Sequence, residues 1–449
     1  MTKRFALAAA ASLALLLAAC GDNAQVSEQA STGPNPEIPQ PTTSLIPTVN
    51  VAEAQSWPEG ATPKPAAGLS VNAFTKGLDH PRWLYVLPNG DVLVAESNKP
   101  PKEDTSFSIK GWVMGIVQGR AGANAESANR ITLLRDQDGD GVAETKQAFL
   151  TGLNSPFGMA LIGDRLYVAN TDAIVRFPYK EGDTQITAAG EKLTDLPGGP
   201  INHHWTKNIL ASKDGTKLYA TSGSNSNVAE NGLEAEENRA AILEVDVATG
   251  SKRLFASGLR NPNGLGWEPS SGVLWTVVNE RDELGSDLVP DYLTSVKDGG
   301  FYGWPFSYWG QHVDDRVQPP KPDMVAKAIV PDYALGNHVA PLGLTFAQAS
   351  NGNAAQLGPQ FASGAFIGEH GSWNRKPRSG YKVVFVPFAN GKPSADTPID
   401  VLTGFVNADD EANGRPVGVA IGKDGSLLVA DDVGNVVWRV SGAARTSER

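Results

Sequence analysis

A six-bladed β-propeller is the fold this 449-residue sequence predicts, all-β with about four antiparallel strands per blade, and three observations carry the prediction. From about Gly68 one pattern recurs six times: a turn, a short apolar strand, a Gly- or Asp-containing hairpin turn, and a second strand ending in a small or polar residue. Asn89-Gly90, Asp214-Gly215 and Asp424-Gly425 are hairpin signals, because both central positions of such turns favour positive φ. Helices of the length that a parallel α/β sheet needs do not alternate with the strands. An array of β-sandwiches is the competing arrangement.

The repeats fall in order along the chain. They read GLDHPRWLYVLPNGDVLVAES from Gly77, GLNSPFGMALIGDRLYVANT from Gly152, HHWTKNILASKDGTKLYATSG from His203 and GLRNPNGLGWEPSSGVLWTVVN from Gly258. The fifth is diverged, APLGLTFAQ from Ala340 leading to GAFIGEHGSW ending at Trp373, and the sixth is GRPVGVAIGKDGSLLVADD from Gly414. Further strands over 174–177, 242–245 and 383–386 extend several pairs toward four-stranded blades, giving a folded body over 68–442. Longer intervals after the first and fourth repeats must carry loops, which in propellers gather on one face around the central channel.

Ahead of the repeats, Met1-Thr-Lys-Arg is followed by an apolar run from Phe5 to Ala19 and then Cys20-Gly21. The pattern resembles a bacterial lipoprotein signal over residues 1–20. The run is shorter than the roughly 20 residues a membrane span needs, so a transmembrane helix is the weaker reading. Cys20, the one cysteine, is then the lipidated residue, and the protein is a periplasmic or cell-surface lipoprotein held to the membrane by that lipid alone. Residues 21–67 are rich in Pro, Ser, Thr, Ala and Asn without apolar periodicity, the composition of a disordered tether with no core of its own. A net charge of −11 and the absence of a long basic run after the N-terminus argue against nucleic acid. A single cysteine excludes an intramolecular disulfide and Cys-rich metal sites.

Polar residues at the repeat entrances are the candidates for chemistry. Two of the six histidines, His203 and His204, are adjacent before the third strand pair, where only one can readily face the channel. Arg260-Asn261-Pro262 and Arg415-Pro416 open the fourth and sixth repeats at the equivalent place. Arginine holds carboxylates and oxyanions through a planar fork, so one rim carrying His and two Arg suits an anionic ligand. The segment between Gly364 and Lys382 adds Glu369, His370, Asn374, Arg375, Lys376 and Arg378. Structural histidines and inter-blade ion pairs are the plain alternatives for all of these. Asp136, Asp138 and Asp140 with Glu144 resemble the first half of a calcium loop, against a plain acidic hairpin turn. A second acidic stretch, 279–283 with Asp287, is followed by the glycine- and aromatic-rich 299–305.

Taken together, GLRNPNGLGW, NERDELGSD, GGFYGWP and a His before a hairpin strand resemble the soluble pyrroloquinoline quinone (PQQ)-dependent sugar dehydrogenases, most closely the sorbosone and aldose dehydrogenase branch. The resemblance covers about Gly68 to Val440. It implies a six-bladed propeller that binds PQQ and Ca2+ on one face and oxidises the anomeric carbon of aldoses to a lactone. Its catalytic base falls on His204, with His203 one residue away as the alternative. Its quinone-contacting Arg-Asn pair falls on Arg260 and Asn261, and its later basic contacts fall among Arg375, Lys376, Arg378 and Arg415. Calcium, held largely through main-chain oxygens, maps to Glu280, Arg281 and Asp282, although the usual Gly-Pro is missing. A polar cofactor contact of the family falls at about Leu153 and is lost.

The resemblance further implies that His204 takes the proton of the C1 hydroxyl while hydride passes from C1 to the quinone, with Arg260 stabilising the charge that develops and electrons leaving to an external quinone or cytochrome. A calcium-dependent propeller lactonase, with carboxylate and Asn ligands at the channel centre, is one alternative. A non-catalytic propeller that binds carbohydrate or a partner is the other, and the ten tryptophans suit stacking on sugars as well as a core.

Overall fold

Each of the six repeats forms the two innermost strands of one antiparallel blade in the computed structural model, which describes residues 22–42, 48–101, 115, 119–122, 125–347 and 357–443. Blade one comprises Pro81–Val86, Val92–Glu96, Arg130–Arg135 and Thr145–Leu150, and blade two Met159–Ile162, Arg165–Ala169, Ala173–Pro178 and Glu191–Asp195. Blade three is Ile209–Ala211, Lys217–Ser222, Ala241–Asp246 and Lys252–Ser257, with Gly300–Phe301 added in parallel at its edge. Asn261–Trp267, Leu274–Asn279, Pro290–Ser295 and Tyr333–Asn337 form blade four. Blade five is Pro341–Phe346, Gly364–Glu369, Lys382–Ala389 and Ile399–Thr403, edged by Lys64–Pro65. Three strands of blade six come from the C-terminus, Pro416–Ile421, Leu427–Asp431 and Val436–Gly442, while the fourth is the N-terminal Leu69–Lys76. That pairing joins the two ends of the ring, so the circle closes by backbone hydrogen bonds.

Innermost strands of successive blades touch around the channel, and the approach is close. At Gly343 a Cβ would lie 2.2 Å from the Val417 carbonyl oxygen, so no larger residue fits there. Apolar side chains fill the wedges between blades. Trp275, Leu335, Ile367 and Val384 make one such cluster between blades four and five, all nearly inaccessible to water. Burial of this apolar area, summed over six wedges, is the main force holding the ring together.

The hairpin turns follow the expected register with one difference of conformation. Gly90, Gly215 and Gly425 have φ of 103°, 70° and 84°, whereas Asn89, Asp214 and Asp424 are not in the positive-φ region. The Asx residue is right-handed because its side chain caps the turn: Asp214 Oδ1 accepts from Thr216 N at 3.1 Å and Asp424 Oδ1 from Ser426 N at 3.0 Å. These turns mark the end of the ring where Trp267 pairs with Leu274, here the far face. The opposite end, where Asn261 pairs with Asn279, is the mouth.

Residues 22–42 and 48–63 depart from the expected tether. They form a strap docked on the mouth side of blades four, five and six. Gly33 bridges Ala334, Thr42 N donates to the Leu284 carbonyl, and Asn50 N donates to the Trp373 carbonyl. Ala52 is fully buried, and Trp57 packs edge-on against Phe405 and Trp438 while donating to Asp431 Oδ2 at 2.6 Å. A segment with few apolar residues lacks the periodicity of a core element, yet it satisfies its backbone on loops that the propeller already presents. Cys20 and the apolar run before it lie outside the described residues.

Candidate active site

A pocket of about 410 Å³ opens at the mouth. It draws His203 and His204 from the entrance to blade three, Asn227 and Glu230 from the 223–240 loop, Arg260 and Asn261 from blade four, and Asn279, Glu280, Asp282 and Glu283 from the next loop. Asp291, His338, Ala340, Trp373, Asn374 and Arg415 complete the ring, with Val51 and Ala121 on the rim. The volume falls in the range of small-molecule and cofactor sites.

His204 is held by the neighbouring loop. Its Nδ1 lies 2.8 Å from the Ser224 carbonyl oxygen, which fixes the proton on Nδ1 and leaves Nε2 as the free lone pair. Burial, then the nearby His203 and the Arg260 charge, push its pKa well below 6.5, so the ring is neutral at pH 7. Gly223 permits the approach, since a Cβ there would meet Asn261 Oδ1 at 2.3 Å and His204 Cβ at 2.5 Å. His203 is exposed and meets His204 edge-on, ring centroids 4.6 Å apart.

Arg260 is placed as expected but its hydrogen bonds are spent on protein. Nε donates to the Asn227 carbonyl at 3.3 Å, Nη1 to the Glu280 and Asn279 carbonyls at 2.6 and 3.5 Å, and Nη2 to Asn227 Oδ1 at 3.0 Å and Asp282 Oδ2 at 3.1 Å. All five guanidinium protons are engaged. Arg260 therefore offers a ligand its charge, and its fork organises the loop. Arg415 is the opposite case: Nη2 donates to Tyr381 Oη at 2.8 Å, while the buried Nε has no partner. Asn261 Oδ1, Asn374 Oδ1 and Glu280 Oε1 are also buried without partners.

Glu280 and Asp282 line the pocket, but their carbonyls do not fit a main-chain calcium site. The Glu280 carbonyl is taken by Arg260, and the Asp282 carbonyl accepts from Asn227 Nδ2 at 3.0 Å and Arg316 Nη1 at 3.2 Å. Arg281 turns away and is fully buried, paired with Asp314 at 2.7 Å and capped by the Pro305 and Ser307 carbonyls. Its guanidinium supplies a fixed positive charge beneath the loop. Burial raises the pKa of Glu280 and pushes Asp291 up to about 8, so the pocket carries less negative charge at neutral pH than its carboxylates suggest.

The other basic candidates face the strap and the neighbouring loop instead of the pocket. Arg378 donates from Nε and Nη2 to the carbonyls of Asn50 and Val51, and Arg375 from Nε to the Ser286 carbonyl at 3.1 Å. The Lys376 carbonyl accepts from Ala24 N at 2.7 Å. None of the three lines the pocket. Asp136, Asp138, Asp140 and Glu144 do bring one ligand atom each within 4.8 Å of the others, but in the far-face turn after Arg135, away from the mouth. His370 instead bonds Asp432 at 2.9 Å, in a buried cluster with His80 and Arg82. Leu153 is buried in the core of blades one and two.

Asn227, Glu230, Asp291 and His338 are the polar residues of the pocket that sequence reasoning missed. Asn227 sits in a run of Ser and Asn with no motif, and Asp291 inside a strand. His338 was visible only as one of six histidines. Its Nε2 lies 3.0 Å from the Gly285 carbonyl oxygen.

The sequence matches the TrAA12-like family over residues 124–292 and 322–443, well over half of the chain. Among curated relatives, an uncharacterised protein of Borreliella burgdorferi is 28% identical over 299 residues, 64% of this chain and 76% of that one. A pyrroloquinoline quinone-dependent pyranose dehydrogenase of Coprinopsis cinerea is 23% identical over 84% of this chain, which spans about half, 54%, of that protein. Among solved structures, a Trichoderma reesei enzyme of carbohydrate-active family AA12 superposes with a TM-score of 0.68 at 20% identity, covering 90% of this chain and all of that one.

Proposed function

Since the chain belongs to the TrAA12-like family, we propose that it is a PQQ-dependent sugar dehydrogenase, oxidising the C1 hydroxyl of an aldose or a related sugar such as sorbosone to the lactone or acid. One observation carries the reading: a neutral imidazole with its Nε2 free and a set of unpartnered buried polar atoms, Asn261 Oδ1, Asn374 Oδ1 and Arg415 Nε, meet in one cofactor-sized pocket. The name of the Coprinopsis relative supports the cofactor.

The residues fit PQQ, a planar quinone bearing three carboxylates. Arg415 would hold a carboxylate through its open donors, Asn261 and Asn374 would offer Oδ1 as acceptors to the ring N–H or to sugar hydroxyls, and Arg260 would contribute its charge from the pocket wall. When bound, the quinone supplies the acceptor for the hydride leaving C1. His204 Nε2 takes the proton of the C1 hydroxyl as that hydride leaves, so the sugar loses two electrons and one proton reaches the imidazole. Nδ1–H bonded to the Ser224 carbonyl keeps the ring oriented and stabilises it once protonated. No step is assigned to calcium. Electrons pass to an external acceptor, and the body is held at the periplasmic or cell surface through Cys20.

The test uses the chain from Asp22 onward, which retains the strap. PQQ is added with and without Ca2+, and dye reduction is followed with a panel of aldoses. Sugar-dependent reduction that requires the quinone is expected. Absence of reduction, together with no quinone-induced absorbance change or thermal shift, would overturn the reading.

A further inference from the structure

We propose that Arg239 is a positioning residue for His204, its guanidinium clamping together the two chain segments that fix the imidazole, with Lys207 bracing the same turn from behind. The inference rests on His204 as the base of the proposed reaction and goes beyond it by naming what holds that base in place. Arg239 stands at the end of the 223–240 loop, just ahead of Ala241–Asp246, and does not line the pocket. It is 5% exposed, and burial pushes its pKa down to about 10, so the guanidinium stays charged at neutral pH.

The two arms of the fork reach different segments. Nη1 donates to the Gly223 carbonyl at 3.2 Å, while Nη2 donates to the Pro197 carbonyl at 2.8 Å, to the Gly198 carbonyl and to Asn202 Oδ1 at 3.0 Å. On the first side, the peptide joining Gly223 to Ser224 is held at both ends, because Ser224 N donates to the Arg260 carbonyl at 2.8 Å. The next carbonyl along, that of Ser224, is the one His204 Nδ1 bonds at 2.8 Å. On the second side, residues 197–202 run directly into His203 and His204. A shift of either segment therefore moves the imidazole relative to Ser224.

Lys207 closes the turn. It is fully buried, and its Nζ donates to the His204 and Trp205 carbonyls at 3.3 Å each and to Asn202 Oδ1 at 3.5 Å, the acceptor it shares with Arg239. Asn202 Nδ2 in turn donates to Thr171 Oγ1 at 2.7 Å, and that hydroxyl donates to the Trp205 carbonyl at 2.8 Å. Every hydrogen bond described for the two cations goes to a main-chain carbonyl or to the Asn202 amide. Charges buried without a carboxylate partner cost the fold stability that apolar side chains of similar volume would not. What these two hold in common is the turn that carries His204.

The experiment uses the full chain in two variants. Arg239→Lys keeps the charge but has one ammonium where the fork spans two segments, and Asn202→Ser removes the amide shared with Lys207. The first readout needs no sugar chemistry: nitrogen NMR spectra of histidine-labelled protein, with His204→Asn assigning the signal, report whether His204 carries its proton on Nδ1 alone. Wild type is expected to show that single tautomer and both variants a mixture. The second readout is steady-state kinetics on protein loaded equally with PQQ, where kcat is expected to fall about 10- to 100-fold in Arg239→Lys while KM for the sugar stays within about twofold. A tautomer mixture already present in wild type, or a folded Arg239→Lys protein with a single tautomer, would overturn the positioning role whatever its activity. Should Arg239→Lys fail to fold, Asn202→Ser decides by the same tautomer criterion. Wild type that oxidises no sugar, with the tautomer still shifting in the variants, would overturn the dehydrogenase reading and leave the clamp on His204 standing.

Discussion

The side-chain amide of Asn227 grips the peptide of Asp282 at both ends, Oδ1 accepting from its N–H at 2.8 Å and Nδ2 donating to its carbonyl at 3.0 Å. The same Oδ1 accepts from Arg260 Nη2 at 3.0 Å. One residue of blade three thereby sets both the pocket loop of blade four and the guanidinium between them. Asn227→Ala leaves these groups unpaired, at about 1–3 kcal/mol for a lost buried hydrogen bond, so kcat/KM for sugar oxidation is expected to fall about 10- to 100-fold. Steady-state kinetics on the quinone-loaded protein measure it, and a change within the scatter of replicate assays would refute the role.

The pH profile follows from His204. Only the neutral ring accepts a proton, and its pKa lies well below 6.5 because of burial, His203 and Arg260. Asp291, pushed up to about 8, takes up its proton first, so the His204 limb is read below pH 7: there the fraction of free base stays near one until the solution passes below about 6.5, and kcat/KM is expected to stay flat and then decline. A decline already half complete between pH 6.5 and 7 would contradict this.

Trp57 tests whether the strap belongs to the fold. Its ring lies 5.5 Å from Phe405 and 5.3 Å from Trp438, and its Nε1 satisfies the buried Asp431. Trp57→Ala removes apolar contact and one carboxylate donor, a loss of about 3 kcal/mol. Calorimetry is expected to show a melting temperature several degrees lower. An unchanged melt would mean that the strap contributes nothing to stability.

The acidic turn at Asp136–Glu144 is uncoupled from the pocket because it lies on the far face. Asp136→Asn with Asp140→Asn is expected to leave quinone affinity, read by absorbance titration, unaltered to within about twofold, as for independent distant sites. A loss of quinone binding in that variant would connect the two faces.

The propeller was legible in the sequence because its information is local. Strand pairs such as Leu84–Val94 carry their own alternation and Asx-Gly turns, and six copies leave few other closures. His204, Arg260, Asn261 and Arg415 were legible for a related reason, since each stands at the entrance to the first strand of its repeat. The remainder depended on contacts distant in sequence. Nothing near Arg378 says that it would spend its donors on Asn50 and Val51, 328 and 327 residues away. The docking of the strap, which lacks a periodic pattern, was hidden for the same reason, and so was the pairing of Arg281 with Asp314.

The central claim is that His204 deprotonates a sugar in this pocket, and single-turnover reduction tests it most directly. Quinone-loaded wild type and His204→Asn, shown by absorbance to hold equal cofactor, are mixed anaerobically with an aldose it oxidises, and the spectrum of the bound quinone is followed. Wild type is expected to reduce its quinone, with the variant slower by about 10²- to 10⁴-fold, the usual contribution of a positioned general base. Equal rates in the two proteins would contradict the account.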